Sequence, residues 1–251
     1  GMPAPPPLVF AASRRRASFN KSMYKYDFSN EELSKILNLE KQMLQNFKAV
    51  KGSKTIEYEG KKFIVLPNVF WPSNDSRALV RNFIINSGEE VLDVGTGTGV
   101  LAIFVAFKGA SKVVTLDINP LAIENTKANV NLYGFSNIID VRLSDMFNSL
   151  NDNEKFDVII ANLPFEKRVA KDIVEKSLWD IDLQTNKKFF GEVKNHLKPN
   201  GRVYLAQSNF GAVDEVIALA ESKGFVVKLI GQTEMPADPR IFYAFELKLN
   251  T

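Results

Sequence analysis

Apolar positions recur along the chain with two periods. From Ser87 onward, short runs dense in aliphatic and β-branched residues, "EEVLDVG", "KVVTLDI", "IIDVRLSD", "FDVIIAN" and "GRVYLAQS", alternate with stretches of helical spacing such as "GVLAIFVAFKG" and "NPLAIENTKANVNLYG". Strand and helix in alternation predict a parallel sheet covered by helices on both faces. The end breaks the rule: "FVVKLIGQ" and "RIFYAFELKL" are joined by "TEMPADP" with no helix between them, so the last two strands are expected to pair antiparallel at one edge. Upstream, "SNEELSKILNLEKQMLQNFKAVKG" opens on a Ser-x-x-Glu capping box (Ser29, Glu32). It sets Leu33, Ile36, Leu37, Leu44 and Phe47 at helical intervals, which predicts one helix, with or without a break in its middle. "KTIEYEGKKFIVLP" reads as two short strands turning at Glu59-Gly60. The expected organisation is a disordered tail over 1–27, a helix, hairpin and lead-in over 28–84, and one α/β domain over 85–251.

Composition narrows the chemistry. At 251 residues and 45% apolar content the chain can bury a sizeable core. There is no cysteine, which excludes disulfides, thiolate metal sites and thiol catalysis. The one histidine, His196, stands at a helix end before a Pro-Asn-Gly stop, where a solvated, non-catalytic side chain is expected, and no metal is expected. No apolar run reaches the roughly 18–20 residues of a membrane span, and the opening "GMPAPPPLVFAASRRRASF" lacks the order of charge, apolar region and cleavage site of a secretory signal. A soluble, cytoplasmic protein without a membrane partner is the expectation. The net charge of +3 is compatible with nucleic acid without requiring it, and Arg14 to Arg16 read as a solvated tail or an RNA-contacting arm.

The first strand of the alternating region ends in "VLDVGTGTGV". Gly95, Gly97 and Gly99 let the backbone turn tightly and approach a ligand, with Thr96 between them, while Asp93 puts an acid where Val or Ile would be expected. The spacing is Gly-x-Gly-x-Gly and not the Gly-x-Gly-x-x-Gly of a dinucleotide turn, which disfavours a nicotinamide-dependent oxidoreductase. Asp117, followed by Ile118, ends the next strand, where an acid can accept both hydroxyls of a ribose. Asp145, in "LSDMF" after the third strand, can accept from an adenine amino group. Three carboxylates at successive strand ends fit a cationic adenosyl ligand.

In these features the chain resembles the class I S-adenosylmethionine-dependent methyltransferases over roughly residues 85 to 250. The resemblance implies a doubly wound, mostly parallel seven-stranded sheet with an antiparallel last strand, and S-adenosyl-L-methionine as cofactor. It implies that Asp93 and the Gly95 to Gly99 turn face the methionine portion, Asp117 the ribose, and Asp145 with Met146 the adenine. "NLPF", Asn162 to Phe165, at the end of the fourth strand, resembles the Asn/Asp-Pro-Pro-Tyr/Phe motif of enzymes that methylate nitrogen on planar groups. Such a nitrogen has its lone pair delocalised and is a poor nucleophile, so hydrogen bonds from its N–H groups to the Asn162 oxygen and a neighbouring main-chain carbonyl would position it. Pro164 would stiffen the loop and Phe165 would stack on the flat substrate. Leu163 departs from the commonest form of the motif, at a position thought to act through its carbonyl.

The lead-in "EYEGKKFIVLPNVFWPSNDSRALV" resembles that of the HemK-like release-factor glutamine methyltransferases and the related methyltransferase "small" domain, which implies that Phe70, Pro72, Asp75 and Ser76 line or cover the cofactor pocket. Read from the residues alone, Phe70 and Trp71 can equally plug the core, and Asp75 can cap a helix beginning at Ser76. The expected activity is N-methylation of a planar amino nitrogen. An RNA base (adenine N6 or guanine N2) leads narrowly because of Arg14 to Arg16 and the lysine pairs Lys61-Lys62 and Lys187-Lys188. The alternatives are a protein glutamine N5, with a release factor as partner, and a non-catalytic RNA-binding scaffold.

Overall fold

A computed structural model describes Tyr24 and residues 26–250. Arg14 to Arg16 lie outside the described residues. α1 (Asn30–Ala49) is one uninterrupted helix, opened by the expected capping box: the Glu32 amide donates to Ser29 Oγ and the Ser29 amide to Glu32 Oε2. Its buried face is Ile36, Glu40 and Phe47, with Leu33 and Leu37 exposed on the flank. The hairpin follows as β1 (Lys54–Tyr58) and β2 (Lys61–Val65), closed by Glu59 and Gly60, both at positive φ, the geometry of a two-residue type I′ turn.

The main sheet contains β3 (Glu90–Val94), β4 (Lys112–Asp117), β5 (Ile139–Leu143), β6 (Phe156–Ala161), β7 (Leu197–Ser208), β8 (Phe225–Glu234) and β9 (Ile241–Leu249), in the order β5-β4-β3-β6-β7-β9-β8. β3 to β7 pair in parallel, and β9 runs antiparallel to both β7 and β8. The expected α/β fold is thus the observed one.

Period-two alternation along the strands feeds two cores. Val91, Val113, Val158, Ile160 and Tyr204 join α2 (Asn74–Asn82) and α3 (Val100–Phe107) on one face. Leu92, Val114, Ile159, Val203 and Phe245 join α5 (Gln184–Glu192) and α6 (Val213–Ser222) on the other. α4 (Pro120–Leu132) starts with Asn119 as N-cap and Pro120 in the first turn. It also grips the hairpin: Asn129 Oδ1 accepts the Ile64 amide at 2.7 Å, Asn129 Nδ2 donates to the Ile64 and Thr98 carbonyls, and Asn125 brackets the same stretch through Ile64 and Leu66.

Two expectations change. Tyr24, inside the stretch expected to be tail, packs edge-on against Tyr243 and Phe245 of β9. His196 is buried and not solvated, because the helix end tightens into a 3₁₀ turn (Val193–His196) that lays the ring flat on Phe147 with Nδ1 2.9 Å from the Glu154 carbonyl.

Candidate active site

Strand register brings the expected residues to one edge of the sheet. Val94 lies opposite Ala161, so Gly95 and Asn162 leave neighbouring strands at the same level. Leu116 lies opposite Val94 on the other side, which places Asp117 there too, and β5 adds Asp145 and Met146 just past Leu143. These connections open onto a cleft of about 380 Å³ at the carboxyl ends of the strands, where the strand order reverses. The volume falls within the range of about 300–1,000 Å³ common for small-molecule sites.

The three glycines of the turn have different tasks, although all have positive φ. A Cβ at Gly95 would meet nothing within 4 Å, so this backbone faces open space. At Gly97 it would press on the Phe70 carbonyl at 3.3 Å, and at Gly99 it would lie 2.8 Å from Thr126 Cγ2. Gly95, Thr96 and Gly97 line the cleft. Gly99 does not, because it seats α3 against α4.

Asp93 likewise stands behind the turn and not on the cleft wall. It is fully buried with Oδ2 accepting from Thr115 Oγ1 at 2.9 Å, and burial pushes its carboxyl up to about 6. Asp117 does line the cleft. Its two oxygens accept the amides of Gly97 (2.9 Å) and Asn119 (2.8 Å); burial pushes its carboxyl up and these bonds oppose the shift. Ile118, half exposed, forms rim beside it. Asp145 sits at the mouth, paired with Lys188 Nζ at 2.8 Å, next to Met146.

From the NLPF segment, Asn162, Leu163 and Pro164 line the cleft. Asn162 Nδ2 donates to Ser76 Oγ at 3.2 Å. The loop is tied down from behind: the Pro164 carbonyl accepts from Asn186 Nδ2 at 2.9 Å, the Phe165 carbonyl accepts the Ala212 amide at 2.9 Å, and Asp180 holds Asn186. Phe165 departs from expectation. The residue is 5% exposed and its ring meets Phe210 edge to face with centroids 5.6 Å apart, so it serves the core and offers no stacking face to the cleft.

Of the lead-in residues, Phe70, Pro72 and Ser76 line the cleft, while Asp75 is buried beneath them. α2 begins at Asn74 and not at Ser76. Sequence reasoning was silent about the far wall, which comes from the 169–185 segment and includes Ile173, Trp179, Asp180 and Gln184. A long aperiodic stretch between a strand and a helix was the available signal.

The chain matches the methyltransferase small domain family over residues 60–232. The chain belongs to that family. A Methanocaldococcus jannaschii relative, provisionally named a protein N5-glutamine methyltransferase, is 32% identical over 188 residues, covering 72% of this chain and 93% of that protein. The release factor glutamine methyltransferase of Koribacter versatilis is 27% identical over 176 residues, 64% of this chain and 62% of that protein. Among solved structures, the Thermus thermophilus 16S rRNA N2 G1207 methyltransferase, in complex with AdoMet and guanosine, aligns with a TM-score of 0.59 at 18% identity, over 79% of this chain and 50% of that one. A methyltransferase from Pyrococcus furiosus aligns at 0.56 and 19% identity over 86% of this chain and all of that one. These two likenesses are of fold.

By family this small-domain protein is a HemK-like class I, S-adenosylmethionine-dependent methyltransferase. Its cleft also has the charge such a cofactor needs. Among the described lining side chains stand the acids Asp117, Asp145 and Asp180 and one base, Lys176; with Asp145 paired to Lys188 the balance still favours a cation over a polyanion. Together with the open approach at Gly95, these groups fit an adenosyl sulfonium.

Proposed function

We propose that this chain methylates a planar amino nitrogen, with Asn162 as the group that receives it. In this reading residues 85–251 form the cofactor-binding domain and 28–84 the extension that closes beside it. Gly95, Thr96 and Gly97 hold the methionine portion by backbone approach, Asp117 accepts from the ribose, and Asp145 with Ile118 and Met146 borders the adenine. When bound, S-adenosylmethionine supplies a methyl group on a positively charged sulfur. The protein's own part is positional. Asn162 Oδ1 accepts one N–H of the amino group and the Leu163 carbonyl the other, the Pro164 carbonyl being taken by Asn186. These bonds hold the nitrogen with its lone pair directed into the cleft. The methylated nitrogen is acidic and releases its proton to water, so no strong base is required.

The observation that carries this reading is that Asn162 and Gly95 leave neighbouring strands into one cleft. Within it, glutamine N5 is favoured over an RNA base by two observations. Phe165 is not free to stack, and one lysine of each pair is already engaged: Lys61 lies 3.5 Å over the Phe107 ring and Lys188 pairs with Asp145. The M. jannaschii relative points the same way. The test is incubation with tritiated S-adenosylmethionine and separate RNA and protein pools, with calorimetry of cofactor binding alongside. Asn162→Ala is expected to keep cofactor affinity and lose about 100-fold or more of methyl transfer, the scale for removing one well-placed hydrogen-bonding group. Undiminished transfer by the variant would remove Asn162 from the mechanism.

A further inference from the structure

A carboxamide has two faces that differ in function but hardly in shape, so its use as an acceptor requires neighbours that reject the inverted orientation. Around Asn162 that requirement is met by residues outside the NLPF segment. Asp75 is buried at 4% exposure, and its Oδ1 accepts from the Ser76 amide at 2.6 Å, from Ser73 Oγ at 2.6 Å and from Ser76 Oγ at 3.3 Å. A carboxylate oxygen only accepts, so the Ser76 hydroxyl proton is directed at Asp75. The lone pairs of Ser76 Oγ are then what Asn162 meets, and Nδ2 donates to them at 3.2 Å. Inverting the carboxamide would set Oδ1 against an oxygen whose proton is already committed. The chain extends back to the hairpin, where Tyr58 Oη donates to the Ser73 carbonyl at 2.8 Å.

We propose that Ser76 is a positioning residue. Its hydroxyl, oriented by Asp75, accepts from Asn162 Nδ2 and so presents Oδ1 to the substrate nitrogen. This inference rests on the role given to Asn162 above, but its structural half can be tested without a substrate.

The experiment uses the full chain and ¹⁵N spectra, with the Asn162 side-chain amide assigned by its disappearance in Asn162→Ala. In the wild type the Asn162 amide protons should show an Overhauser contact to the Ser76 β-protons and slowed exchange with water; absence of the contact overturns the proposal whatever the variants do. In Ser76→Ala the exchange protection should be lost, cofactor affinity should stay within about twofold, and kcat should fall about tenfold, the effect of one net hydrogen bond. Ser76→Thr restores the hydroxyl and should recover most of kcat. A purely structural role would instead lower cofactor affinity and thermal stability together and would not depend on the hydroxyl. If Ser76→Ala turns over at the wild-type rate while Asn162→Ala is dead, the orientation proposal fails and the role of Asn162 stands. If the contact and its protection are found but Asn162→Ala still transfers methyl, the role of Asn162 fails alone.

Discussion

Single residues behind the cleft carry charges whose cost shows with pH. Glu166, directly after Phe165, is buried beside Glu40 of α1, with Arg168 Nη1 3.3 Å from Glu40 and 3.6 Å from Glu166. Burial, then the Glu40 carboxyl, pushes the Glu166 carboxyl from 4.5 up to about 9. The folded chain therefore keeps a proton that the unfolded chain has released. The corresponding stability is present below pH 4.5 and lost as pH rises through about 9. Over that window this one group contributes a slope of up to about 1.4 kcal/mol per pH unit. Glu166→Gln keeps a neutral donor beside Glu40 and is expected to flatten the slope in urea unfolding measured across the window. Parallel slopes for variant and wild type would show that another group is responsible. The residue types of the site were legible wherever they violate their local pattern: an amide ending an apolar strand, an acid within one, three glycines in five positions. The direction each side chain takes was not. Asp93 and Phe165 turn away from the cleft because tertiary packing, absent from any local pattern, decides it.

Among the elements, α4 shows how polar residues in a helix can be structural. Asn125 and Asn129, within "NTKANVN", are fully buried and hydrogen-bond to β2 and to the glycine turn. They satisfy backbone groups that the two-stranded hairpin leaves open and hold the lead-in against the cleft. Asn129→Ala would leave the Ile64 amide and the Ile64 and Thr98 carbonyls without this partner. A loss of about 2–4 kcal/mol in unfolding free energy is expected, together with weaker cofactor binding, since Thr98 belongs to the turn. A variant as stable as wild type would mean that water replaces the side chain. α1 shows a related effect. Its apolar residues cover more of the helix surface than the partner beneath can bury, and the buried face is centred on Ile36, Glu40 and Phe47. Helical spacing marks the element well; which neighbouring row faces inward depends on where Arg168 and Glu166 stand.

At the scale of the whole molecule, alternating strands and helices were legible because each period repeats several times, and the reversal of strand order then brings distant motifs together. What the molecule acts on is instead a matter of its field. A net charge of +3 is small, and the cleft itself is acidic, with Lys176 the one basic side chain among its described lining residues. An RNA substrate held by several phosphates makes binding steeply salt-dependent, with a slope of about −0.7 in log K per log salt for each contact on a single strand. Six contacts would weaken binding about 300-fold between about 50 and 200 mM salt. A glutamine side chain presented by a protein makes no such demand. With substrate below KM, the rate of methyl transfer is expected to change by less than about threefold over that range, rim charges being screened but few in number. A fall of two orders of magnitude would instead require a basic phosphate-binding surface, with Arg14 to Arg16 the first residues to neutralise in turn, and would return the RNA base to first place.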